Sequence, residues 1–116
     1  MVSFTVLINE APIAKERAFT ALRYATTCAL EGHEVKVFLM ENGVYVAKKG
    51  QNPSSDAPNL MVYLEELLKS NVEVKACVVC CQARGLTEND LIPGVKIASM
   101  HELVEWTATT DKTIVF

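Results

Sequence analysis

Apolar and polar positions follow two rhythms along this chain, and together they predict a regular alternation of strands and helices. Residues 4–8 are a nearly unbroken apolar run, short enough for a strand covered on both faces. Asn9, Glu10, Ala11 and Pro12 break it, and Pro12 suits the first turn of a helix. Over 13–30, Ala14, Ala18, Leu22, Ala25 and Ala29 recur at helical spacing, with Lys15, Glu16 and Arg23 on other faces and Gly32 as the stop. A second strand is expected over 34–40, a turn at Glu41, Asn42 and Gly43, and a short helix over 44–49. Residues 50–58 alone have linker composition. Asn59 then caps a helix over 60–69 with a broad leucine-rich stripe.

A third strand over 72–77 runs into a cysteine-rich segment, and 87–90 reads as a helical turn ended by Pro93 and Gly94. Residues 95–98 form a fourth strand. Ser99 and Glu102 have the spacing of a capping box for a helix reaching about Thr109, and 113–116 is a last strand. This β-α-β-α-β-α-β-α-β order predicts an α/β fold: a single-domain three-layer sandwich over residues 1–116, with a mostly parallel five-stranded sheet and right-handed crossovers. In open sheets of this kind, ligands and reactive groups gather outside the carboxyl ends of the strands. That rule puts Cys77, after strand three, on one rim with Asn9, Glu10 and Ala11 after strand one, Glu41 and Asn42 after strand two, and Ser99, Met100 and His101 after strand four.

Composition narrows the partners. Half of the 116 residues are hydrophobic and mean hydropathy is +0.19, yet no apolar run approaches the roughly 20 residues of a membrane helix. The excess therefore points to subunit interfaces, and thus to a homo-oligomer. Eleven Lys and Arg against fourteen Asp and Glu leave a net charge of −3, and the basic residues are scattered. Neither a nucleic-acid footprint nor attachment to an anionic membrane is expected. The amino-terminal residues read as a strand rather than a signal peptide, so four reduced cysteines in a cytoplasmic protein are expected instead of a disulfide framework.

Three of those cysteines, Cys77, Cys80 and Cys81, fall within five positions, and Arg84 and Gly85 close the segment. The reactive species of cysteine is the thiolate, which a helix N-terminus and a nearby positive charge both favour. A helix beginning near residue 78 would put Cys77 at its start and Cys80 in its first turn, with Arg84 as the charge and Gly85 as a positive-φ exit. Four readings stay open: sulfur carriage as a persulfide, dithiol–disulfide exchange by the Cys77/Cys80 pair, a zinc site, and plain packing. Zinc would need two further ligands, and His33 and His101 lie far off in sequence, so neither metal nor cofactor is expected. No glycine-rich phosphate loop or Ser-His-Asp arrangement is recognisable.

The segment Val74-Lys75-Ala76-Cys77, followed by Cys80 and by Ala83-Arg84-Gly85, resembles the DsrE/DsrF-like sulfur-relay family, and within it the YchN-like small proteins. The resemblance extends over Val37-Phe38-Leu39-Met40, Gly50-Gln51 with Pro53, Leu91-Ile92 with Gly94-Val95, Glu102-Leu103 with Trp106-Thr107, Asp111-Lys112 and the closing Phe116. It implies a flavodoxin-like sheet, a homo-oligomer (trimer or hexamer) with the reactive cysteine near a subunit interface, and protein partners that donate and accept sulfur. By likeness to TusD-like carriers it implies a persulfide on Cys77, seven residues before Arg84, with Cys80 as partner or resolving thiol and Arg84 as a positioning charge. Two departures stand out. Val78 and Val79 replace small or hydroxyl residues, an apolar setting that raises a thiol pKa, and Cys81 is an additional thiol. The alternative from a different class is a non-catalytic oligomer that binds a small ligand or partner at its rim.

Overall fold

A computed structural model describes residues 1–116. The elements are β1 (Ser3–Ile8), α1 (Arg17–Leu30), β2 (Glu34–Leu39), a 3₁₀ helix (Glu41–Ala47), α2 (Leu60–Lys69), β3 (Glu73–Cys77), α3 (Val78–Ala83), a 3₁₀ turn (Glu88–Asp90), β4 (Lys96–Ala98), α4 (Met100–Thr109) and β5 (Lys112–Val115). The strands stand in the order β4-β3-β2-β1-β5, and every pair is parallel. The α/β sandwich with a five-stranded parallel sheet is thus the observed architecture.

Strand periodicity sends alternate side chains to opposite faces. On one face Phe4, Val6 and Ile8 of β1, Val35, Val37 and Leu39 of β2, and Val74 and Ala76 of β3 meet the seam of α1 (Ala18, Ala21, Leu22, Ala25, Cys28) and of α2 (Leu60, Leu64, Leu67). The small alanines of α1 let that helix lie close to the sheet. On the other face Phe38, Cys77 and Ala98 pack with Leu103 and Trp106 of α4, edged by Leu7, Met40 and Cys80. Connectivity explains the imbalance. The chain winds from β1 to β4 in one direction, then α4 carries it back to the far edge, so a single helix serves the whole second face. A ten-residue helix is about 15 Å long, against about 19 Å for four inter-strand steps.

The caps follow the sequence. Asn59 Oδ1 accepts from Met61 N–H at 3.1 Å, and Ser99 and Glu102 make the reciprocal box. The start of α1 departs from expectation: the helix begins at Arg17, not near residue 13. Ile13 is 62% exposed, and the buried seam starts only at Ala18. Without an apolar face to bury, 13–16 gain nothing from helical geometry, and they form turns beside Pro12. The short helix after β2 likewise begins earlier than expected, at Glu41, because the turn residues join it. Cys28 is a buried core thiol, 7% exposed.

Candidate functional site

Cys77 is at once the last residue of β3 and the cap of α3, with extended backbone at φ −60° and ψ 126°. The strand hands directly to the helix, so the three thiols part ways. Cys77, 3% exposed, turns to the α4 face beside Phe38 and Trp106. Cys81, fully buried, enters the α1/α2 core. Cys80 is half-buried and packs against the edges of both. All four cysteines are free thiols, and no group of three or more His, Cys, Asp or Glu has the geometry of a metal site.

Cys80 has the most polar surroundings. Its Sγ accepts the backbone N–H of Glu41 at 3.0 Å. Arg84 Nη1 donates to the carbonyl of Cys80 at 3.0 Å, while Nε and Nη2 donate to Asn42 Oδ1 at 3.1 and 2.9 Å. Burial raises the Cys80 pKa above the ordinary thiol value; the Glu41 N–H and the Arg84 charge pull it back, and the neighbouring Cys77 thiol pushes it up. Cys81 lacks that hydrogen bond: burial first, then its two neighbouring thiols, push it up to about 11. At neutral pH it is a protonated apolar side chain. Gly85 leaves α3 at φ +69°, and Leu86 N–H returns to the Cys81 carbonyl at 2.9 Å, the helix exit expected of that glycine.

Of the rim candidates, Glu41 is brought to Cys80, through its main chain. Asn9 ties strand ends together: its N–H and Nδ2 donate to the Phe116 carbonyl, and its own carbonyl accepts from Gly43. Glu10 faces Lys15 at 3.9 Å. His101 is exposed in the first turn of α4. His33 instead serves the opposite end of the sheet, where its Nδ1 accepts from Val2 N–H at 3.0 Å. Loop 50–58 borders a cleft of about 380 Å³ with residues 11–14 and Tyr45, and no cysteine lines it. Asn42 lies on the rim with Glu41 as the strand order predicts, but its role does not follow from sequence: a lone amide in a turn carries no signal until its partner 42 residues away is known.

The model of the DsrE/DsrF-like family matches residues 2–116. The chain belongs to the DsrE/DsrF-like family. An uncharacterised protein of Methanopyrus kandleri is 53% identical over 112 residues, covering 97% of this chain and 92% of that protein. YchN of Escherichia coli is 36% identical over the full length of both chains, and its crystal structure superposes with a TM-score of 0.93. A protein of Cronobacter sakazakii named sulfurtransferase TusD is 28% identical, covering 97% of this chain and 98% of its own. Among these relatives it is TusD whose name states a sulfurtransferase; in this chain three of the four cysteines fall within residues 77–81.

Proposed function

We propose that this chain carries sulfane sulfur as a cysteine persulfide at the Cys77/Cys80 pair, receiving it from one protein and passing it to another. Cys80 makes first contact with the donor and Cys77 is its buried partner. One observation carries the reading: Cys80 is the accessible thiol of the strand-end cluster, and its sulfur already accepts a main-chain N–H at 3.0 Å. Resemblance to TusD-like carriers points to Cys77 as the bearer, whereas burial favours Cys80 for meeting a donor, since a thiol 3% exposed does not reach another protein's sulfur.

The step balances without an external oxidant. The Cys80 thiolate attacks the outer sulfur of a donor persulfide, a new S–S bond forms, the donor S–S bond breaks, and the donor leaves as thiolate. Transfer to the acceptor repeats the exchange in the other direction. The Glu41 N–H and the Arg84 guanidinium favour the anionic sulfur at each stage.

The reading includes a homo-oligomer in a reducing, cytoplasmic setting. Its support is the exposure of Val79, Met100, Val104 and Val115, large apolar side chains spread from the cysteine segment across the thinly covered α4 face. No helix is long and apolar enough to cross a membrane.

Fully reduced protein incubated with a small-molecule persulfide should gain one sulfur by intact mass, removable by reductant and mapped to Cys80 or Cys77. Failure of the Cys80→Ser variant to gain it would place entry at Cys80. No adduct on wild type, with all cysteines slow to alkylate, would replace the reading with the non-catalytic binding oligomer.

A further inference from the structure

The turn after β2 is held against the end of β1 more tightly than a surface turn requires. Gly43 N–H donates to Met40 O at 2.7 Å and to Asn9 O at 3.2 Å. A Cβ on Gly43 would lie 2.1 Å from the Ile8 carbonyl oxygen, so only glycine permits this approach. Two residues earlier, Glu41 adopts φ +51°, in the left-handed region that a non-glycine residue rarely occupies. The outcome of this constrained backbone is the Glu41 N–H on Cys80 Sγ.

Between those two residues stands Asn42. Its amide oxygen takes two N–H groups of Arg84, and the third Arg84 contact goes to the carbonyl of Cys80. Cys80, Arg84, Asn42 and Glu41 thus form a closed ring of contacts joining the β2 turn to α3. Asn42 is exposed, where one hydrogen bond adds only about 1 kcal/mol, so stability alone gives little reason for the arrangement. The choice of a neutral oxygen has a clear electrostatic consequence. An Asp at this position would hold the guanidinium equally well but offset its charge where it meets the Cys80 carbonyl; an amide holds it and leaves the charge uncompensated.

We infer that Asn42 is a positioning residue of this site: it fixes the Arg84 guanidinium beside Cys80 and locks the turn that delivers the Glu41 N–H to the sulfur. The inference rests on the sulfur-relay reading only for what the activated thiolate is used for; its geometry stands apart from that. The titratable and charged groups around Cys80 are Arg84, Cys77 and Cys81 on β3 and α3, and Glu41 on the turn. Asn42 acts on Cys80 through Arg84 and the Glu41 main chain.

The test is the pH profile of peptide-mapped Cys80 alkylation in wild type, Asn42→Ala, Asn42→Asp, Arg84→Gln and the Asn42→Ala/Arg84→Gln double variant. Asn42→Ala should move the profile to higher pH and slow alkylation at pH 7 roughly three- to ten-fold. Asn42→Asp should slow it as well while leaving the unfolding midpoint unchanged or raised, a separation that a merely structural residue does not give. In the Arg84→Gln background, Asn42→Ala should add little. An Asn42→Ala profile that overlays wild type overturns the inference, as does a slowing that persists in full without Arg84. Either result can be read whether or not wild type accepts sulfur from a persulfide, so the two ideas fail separately.

Discussion

The two faces of one sheet make a useful contrast. The α1/α2 face is a sealed core: Val6, Ile8, Val37, Leu39, Leu22 and Leu64 are fully buried, and two helices pack on β1, β2 and β3. The α4 face has an apolar cluster of just Phe38, Cys77, Ala98, Leu103 and Trp106, with buried Thr5 bonded to Thr110 beside it. It also uses its lysines as packing material. Lys36 and Lys75 lay their ammonium groups over the Trp106 ring at 5.3 and 5.0 Å, and Lys75 reaches Glu102 at 2.9 Å. Stability is concentrated on the first face, and the three clustered thiols sit where it meets the second. Cys81 belongs to the sealed side and is chemically quiet. Cys77 belongs to the thin side, and Cys80 stands between them under the β2 turn.

The sharpest way to break the contrast is the same truncation on both faces. Leu64→Ala, in the α1/α2 core, should cost about 3–4 kcal/mol in denaturant unfolding, while Leu103→Ala under α4 should cost about 1–2 kcal/mol. Equal losses would mean that the α4 face is as enclosed as the other, as it would be if a second copy of the chain covered it. In that case the Leu103→Ala loss should depend on protein concentration.

A smaller effect concerns how α4 is held. The Ser99 N–H, and next the Lys75 ammonium, keep the Glu102 carboxyl below the usual carboxylate range. Stability from a lowered pKa is complete above the unfolded-state value of about 4.3 and is lost as pH falls below it through the folded-state value. Fluorescence of Trp106, the one tryptophan, should therefore report loosening of α4 on acidification, a component that Glu102→Gln removes. An acid titration of Trp106 identical in the variant would show that this cap does not govern the face.

The smallest effect leaves stability untouched. At pH 7 in folded protein, a polar alkylating reagent should modify Cys80 first and leave Cys81 and Cys28 until unfolding, because burial raises both of those pKa values. Rapid modification of Cys81 would erase the distinction between the faces at the site itself.

Much of this was legible from sequence because it depends on local periodicity. The apolar run of β1, the alanine seam of α1, the Asn59 and Ser99 caps and the strand-end position of Cys77 each follow from a few neighbouring residues. The start of α1 was not, since Ala14 fits the helical period but has no surface to pack against, and packing decides whether a turn of helix persists. The cysteine segment announced itself by composition and by its likeness to sulfur-relay proteins. Its internal division did not: the helix rotates each successive side chain by about 100°, and which direction is core depends on elements far away in the chain.

Sequence alone determined the alternation of strands and helices, the family, and the gathering of three thiols before an Arg-Gly exit. Only the tertiary structure decided that the second sheet face has a single helix, that Cys77 and Cys81 are sealed on opposite sides, and that Glu41 and Asn42 reach Cys80 and Arg84. The physical reason is range. Propensity and periodicity act over a turn or two of chain, whereas burial and a hydrogen bond between residues 39 or 42 positions apart exist only once the parallel sheet has brought the ends of β2 and β3 side by side.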